Sequence, residues 1–240
     1  AWALCFVVGV FGGSLHAKVS ESSSATPNDV PEKSDQVRSK EDIVAKEKIP
    51  EPQPSRVPDP RPVIPPVGSI PENLVKLGHG DYFSEFAFLL DKSNRTLSIW
   101  QASPKGPQMV AAYPSDMGQV NGDKQVLGDK KTPEGIYFFQ KMYEGTQLNF
   151  DEYGVRAFTM NYPNFFDQRD NKTGSGIWLH AIPDSKSLFR GSRGCIVVRN
   201  EVIKDVSRYV NLRKTPIVVT QSVTYLDPIT HAQRKQDLLN

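Results

Sequence analysis

Cys195 and His180 are the two side chains in this sequence whose types and surroundings suit covalent catalysis. The 240-residue chain has 2 cysteines, and Cys5 lies in an apolar N-terminal run, which leaves Cys195 alone in the remainder. Proteins of oxidising compartments tend to pair their cysteines or avoid them. A lone thiol there reads either as an inert buried hydrophobe or as a nucleophile. Around it runs Gly191-Ser192-Arg193-Gly194-Cys195-Ile196-Val197-Val198, a glycine-containing loop entering a β-branched strand. Such a loop permits close backbone approach and can turn amide N–H groups toward a developing oxyanion. Arg193 and Arg199 would pull a nearby thiol below its reference value of ~8.5, although arginines beside a loop are also ordinary solvated surface.

A thiol nucleophile needs a base, most often histidine. Of the 4 histidines, His16 follows the apolar run, His79 ends a linker and His231 sits in a polar tail. His180 closes Gly176-Ile177-Trp178-Leu179-His180, a strand-like segment inside the expected folded core. Alternation sets His180 on the face opposite Leu179. A strand-end histidine is either structural or a base, and its place shortly before the cysteine loop makes a Cys–His pair easy to form. No acid is evident to orient the imidazole, since Asp184 lies in the intervening loop, so a backbone carbonyl would take that part.

Other chemistries lack their patterns. Gly191-Ser192-Arg193-Gly194 does not have the spacing of a G-x-S-x-G elbow. Gly122 to Lys130 is rich in glycine and lysine but misses the phosphate-loop spacing. The sequence has neither H-E-x-x-H nor a cysteine pair for zinc. With 29 Lys and Arg against 27 Asp and Glu, the net charge is only +2. That balance speaks against a dedicated nucleic-acid binder.

The elements that must position the pair read as strands. Phe86–Leu90 and Thr96–Trp100 flank the turn residues Asp91-Lys92-Ser93-Asn94, as a hairpin does. Met109–Tyr113, Gly135–Gln140, Arg156–Asn161, Ile177–Ile182, Cys195–Val198 and Ile217–Thr220 follow, separated by Gly, Asn, Asp and Pro clusters. One helix is evident: Asn200 can cap it, and Val202, Ile203, Val206, Tyr209 and Val210 recur at helical spacing. The expectation is a mainly β domain over residues 79–222.

Outside it, Ala1 to Leu15 is apolar and uncharged, and Leu15-His16-Ala17 suits a cleavage site. Residues 1–17 therefore read as a secretory signal, or as an N-terminal membrane anchor if uncleaved. Residues 18–78 hold eleven of the 19 prolines among alternating charges and read as a disordered linker. Residues 223–240 read as a polar tail.

His180 and, fifteen residues on, Ser192-Arg193-Gly194-Cys195 together resemble the His…Ser-x-Gly-Cys signature of L,D-transpeptidase catalytic domains of the YkuD type. Thr132-Pro133-Glu134-Gly135 resembles that family's upstream Thr-Pro-x-Gly stretch, and Leu89–Trp100 its opening hairpin. The resemblance implies a mixed β-sandwich with one or two short helices, exported to the periplasm or cell envelope. It implies a peptidoglycan enzyme using a thioester and no metal or cofactor. Cys195 would attack the meso-diaminopimelate carbonyl of a tetrapeptide stem and expel D-Ala. His180 would be the base, steered by a carbonyl near Ala181. Ser192, Gly194 and the Cys195 amide would orient the loop and hold the oxyanion.

Ala181 and Val197 stand where the commonest form has Gly and Arg. Arg199, on the same strand face by parity, could supply the missing guanidinium beside Arg193 for substrate binding, or could simply precede the Asn200 cap. The Gly-Cys-Ile-Val-Val form is similar to the branch with L,D-carboxypeptidases and lipoprotein-releasing amidases, in which water is the acceptor and an envelope lipoprotein a partner. A wall-binding module without turnover is the other class of reading.

Overall fold

The computed structural model describes residues 57–75, 77–78 and 84–239. The signal segment, Cys5, His16, His79 and the linker as far as residue 56 lie outside them. Strands β1 (Ile70–Pro71), β2 (Phe86–Asp91), β3 (Thr96–Gln101), β4 (Gln108–Pro114) and β5 (Gly135–Glu144) come first. They are followed by β6 (Arg156–Met160), β7 (Trp178–Ile182), β8 (Ile196–Arg199), β9 (Pro216–Thr220) and β10 (Tyr225–Leu226). Eight of these form one mixed sheet in the order β4-β3-β2-β9-β5-β6-β7-β8, while β1 pairs with β10.

The long β5 is where this sheet folds over. Its first half, Gly135 to Phe138, pairs with β9, and its second, from Phe139 to Glu144, pairs with β6 across a bulge. A bulge bends a strand and increases its local twist, so the two halves of the sheet face each other. Phe88, Leu90, Leu97 and Ile99 from one half meet Phe139, Phe158, Leu179 and Ile196 from the other in one core. Asp116, just past β4, bridges antiparallel to Val197 in β8 and joins the two ends of the sheet.

Alternation in β2 sends Ala87 and Leu89 the other way, into a second cluster with Leu74, Trp100 and Val218. Burial of each such leucine contributes about 2 kcal/mol, which is why both faces of β2 need a cover. That cover comes from outside the expected domain. Leu74 packs there, partly buried Tyr225 joins it, and the β1–β10 pair ties their segments together.

The structure therefore differs from the expected linker and tail boundaries. Residues 57–75 run along the domain, and residues 228–239 form helix α4 (Pro228–Leu239 in chain order), whose His231 Nε2 lies 3.1 Å from the Leu74 carbonyl. Three further helices are short: α1 (Phe150–Tyr153), α2 (Phe165–Arg169) and α3 (Asn200–Val206). Among the described residues there are four α-helices, against the one or two expected. The cap of α3 is also one residue earlier than expected. Arg199 occupies the cap position, and the Asn200 side-chain oxygen accepts instead from the Val155 amide at 3.0 Å.

Candidate active site

Strands β7 and β8 run parallel, with His180 opposite Val197 and Leu179 opposite Ile196. Ile177, Leu179, Ala181, Ile196 and Val198 point into the main core. The alternate residues Trp178, His180, Cys195 and Val197 share the other face, with Cys195 one step ahead of β8. His180 and Cys195 are thus diagonal neighbours on adjacent strands, a separation within reach of long side chains. Both line a groove of about 810 Å³, along with Asp116, Tyr153, Ser192 and Arg193. A larger cavity of about 930 Å³, lined by Leu74, Ile136, Phe165 and Phe166 among others, contains neither the thiol nor the imidazole.

His180 is held on two sides. Its Nδ1 is 2.7 Å from the Ala181 carbonyl oxygen. A carbonyl only accepts, so Nδ1 carries the proton and Nε2 presents its lone pair. The Tyr153 ring meets the imidazole edge-on at 5.1 Å between centroids. Tyr153 belongs to α1, which ends at Gly154 with φ +62. A Cβ on Gly154 would come within 2.8 Å of the Ala181 carbonyl carbon and 2.5 Å of Asn200 Oδ1. Only glycine lets α1 approach the peptide that orients the histidine.

Burial lowers the His180 pKa to about 4, despite the Ala181 hydrogen bond and the Glu152 and Asp116 charges acting upward. Cys195 as a residue is partly exposed, yet its thiol lies deep enough that burial raises its pKa. A backbone hydrogen bond from Trp178 and the Arg193 charge pull against that rise. Both shifts favour the uncharged forms. The resting pair is thus a neutral thiol and a neutral imidazole, with Sγ 3.5 Å from the Gly176 carbonyl.

The loop before Cys195 is tied internally. Ser192 Oγ donates to the Cys195 carbonyl at 2.6 Å and accepts from the Gly194 amide at 3.1 Å. Ser192 is therefore a loop clamp, and the Gly194 N–H expected at the oxyanion points to that hydroxyl instead. Gly194 has φ +136, and a Cβ there would lie 2.8 Å from the Lys131 carbonyl. Arg193 is exposed at the groove.

Arg199 departs from expectation. It shares the Cys195 parity but is 2 % exposed, at the far end of β8, with its guanidinium on Asp59 and on the Pro183 and Lys186 carbonyls. It is not among the residues that line the groove.

Residues that sequence reading did not single out complete the frame. Thr132 Oγ1 accepts from the Gly118 amide and donates to the Gly194 carbonyl, both at 2.9 Å. Asp116 takes the Arg190 amide at 2.6 Å and the Gly191 amide at 2.9 Å. Buried Lys92 joins the Thr132 carbonyl at 2.9 Å to Glu134 at 2.9 Å. Only the Thr-Pro motif hinted at any of them. Among the described residues no three His, Cys, Asp or Glu side chains are grouped to hold a metal ion.

A strand-borne histidine and a glycine-loop cysteine thus share one groove on a folded-over mixed sheet. The chain belongs to the L,D-transpeptidase catalytic domain family, YkuD, which it matches over residues 86–219. It is 28% identical over 120 residues to the protein YafK of Escherichia coli K12, half of this chain and 44% of that one. Among solved structures it is similar to Bd1075 of Bdellovibrio bacteriovorus, at 47% identity and TM-score 0.65, over 71% of this chain and 60% of that one. It is also similar to Pgp2 of Campylobacter jejuni, described as a helical cell shape determining protein. There the identity is 26% and the TM-score 0.55, over 69% of this chain and 57% of that one. The chain thus spans less than two thirds of the length of each.

Proposed function

We propose that this domain is a cysteine-dependent L,D-transpeptidase of the bacterial cell envelope, acting on tetrapeptide stems of peptidoglycan. In the first step His180 Nε2 takes the thiol proton as Sγ attacks the meso-diaminopimelate carbonyl. The tetrahedral adduct then collapses: the bond to D-Ala breaks, His180 returns the proton to the leaving amine, and a thioester remains on Cys195. An acceptor amine attacks the thioester and restores the thiol, leaving a new amide. The observation that carries this reading is the imidazole fixed by Ala181, with its free nitrogen on the same sheet face as the sulfur. A neutral resting pair suits general-base attack, in which charge develops only as the bond forms.

Hydrolysis, with water in place of the amine, is the second reading. Val197 supports it, because an apolar side chain lines the groove where the commonest form of the family has a guanidinium to hold a carboxylate. The likeness to a cell shape determining protein fits either outcome.

Purified protein incubated with disaccharide-tetrapeptide and followed by mass spectrometry separates them. A 3-3 linked dimer supports transpeptidation, tripeptide alone hydrolysis, and lipoprotein freed from intact sacculi the amidase branch. A carbapenem should add its mass to the wild type and not to Cys195→Ala. A wild type that stays unmodified across pH would leave the wall-binding module as the reading.

A further inference from the structure

Residues 57–66 read Val-Pro-Asp-Pro-Arg-Pro-Val-Ile-Pro-Pro, and composition alone makes them a spacer. In the structure they are a strap. The Val57 amide donates to Ser187 Oγ at 3.1 Å, and the Val63 amide donates to Thr96 Oγ1 at 2.9 Å. Between them Asp59 makes a two-pronged ion pair with Arg199, Nε to Oδ2 at 2.7 Å and Nη2 to Oδ1. The prolines suit this. They hold the segment extended in advance, so little conformational freedom is lost when it docks. Each also removes a backbone donor that would need a partner.

Arg199 also reaches inward. Its Nη1 donates to the Lys186 carbonyl at 2.5 Å and lies 3.5 Å from the Pro183 carbonyl. Lys186 and Ser187 line the catalytic groove, and the same loop runs on through Gly191 to Ser192 and Cys195. Leu188 is the buried hydrophobe of this loop. Polar anchors along it include the strap, Arg199, Asp116 holding the Arg190 and Gly191 amides, Arg95 on the Leu188 carbonyl, Lys186 on the Asp151 carbonyl and Gln119 on the Gly191 carbonyl.

We infer that Asp59 is a positioning residue of the catalytic groove: through Arg199 it fixes loop 183–191, which forms one groove wall. The guanidinium is almost fully buried and Asp59 is 18 % exposed. Removing the carboxylate leaves a buried cation without its counter-charge. The arginine then turns toward water and releases the two loop carbonyls. The N-terminal strap is thereby part of the substrate site. Only the kinetic readout of this inference rests on the proposed acyl transfer; the loop's order does not.

The test compares the full chain with Asp59→Ala, Asp59→Asn and Asp59→Glu. Amide hydrogen exchange should rise ~10-fold or more in 183–191 for Ala and Asn while β5 and β9 keep their protection. With disaccharide-tetrapeptide, KM should rise about 5-fold and kcat should stay within about 2-fold. Asp59→Glu should restore most of both. Unchanged exchange in 183–191 overturns the inference, as does a rise spread equally over β5 and β9, which would make the pair a general stabiliser. If the wild type turns over no stem peptide and takes no carbapenem, the acyl-transfer reading fails while the exchange data still decide the strap.

Discussion

Thr132 and Gly194, sixty-two residues apart, are joined by a 2.9 Å hydrogen bond from hydroxyl to carbonyl, and the same hydroxyl accepts the Gly118 amide. One fully buried side chain thus fixes the peptide that precedes Cys195. Replacing it leaves two buried backbone groups unpaired, at about 1–3 kcal/mol each. Thr132→Val should lower the melting temperature by several degrees and slow carbapenem acylation about 10- to 100-fold. Thr132→Ser should recover most of the rate. Equal acylation of Val and wild type would show that the hydroxyl does not set the cysteine geometry.

The acid limb of kcat/KM should fall near pH 4, the value to which burial brings His180, and not near 6.5. Stability follows with a definite sign. The folded pKa lies below the unfolded one, so this contribution is complete above about 6.5 and is lost as pH falls toward 4, roughly 3 kcal/mol in all. Chemical denaturation of wild type and His180→Gln at pH 7 and pH 4 measures it: the variant should lose less stability between the two. An acid limb near 6.5 would mean an exposed imidazole.

Alkylation of Cys195 by iodoacetamide should be slow at neutral pH and climb only under more alkaline conditions than for a free thiol, because burial raises the thiol. Arg193 opposes that rise from an exposed position. Arg193→Ala should move the midpoint upward, and high salt should reduce the difference by screening the charge. A midpoint below about 8.5 would indicate a preformed thiolate and sink the neutral-pair mechanism.

Gly154→Ala should cost about 2–4 kcal/mol, since its methyl group would collide with Ala181 and the Asn200 side chain. Gly145, at φ +57 with open space around it, is the control: its alanine variant meets only the backbone penalty, about 1 kcal/mol. Urea unfolding of both variants gives the comparison. Equal losses would mean that α1 can move off Ala181 freely.

Where each signal is local, the sequence is readable. The β2–β3 hairpin follows from two apolar runs around Asp91 to Asn94, and Asp91 Oδ1 accepts the Ser93 amide at 3.0 Å in that turn. His180 and Cys195 stand out by residue type, and strand parity puts both on the groove side. Parity fails for Arg199, because the carboxylate that claims it lies 140 residues away. Helices α1 and α2, with four and five residues, are shorter than the window in which a helical period can be seen. Two-residue strands such as β1 and β10 exist only through each other. Asp116 works through a loop whose conformation no periodicity encodes.

The bridge between Asp116 and Val197 has a consequence for how a peptide can enter. β8 ends the sheet, and a bare outermost strand would invite an extended chain to add itself by β-augmentation. At Val197 that invitation is withdrawn: its amide donates to Asp116 at 2.8 Å and its carbonyl accepts from Asp116 at 2.7 Å. An extended chain therefore finds the rung at Val197 already taken, and a ligand of the groove would be read at that point by side chains.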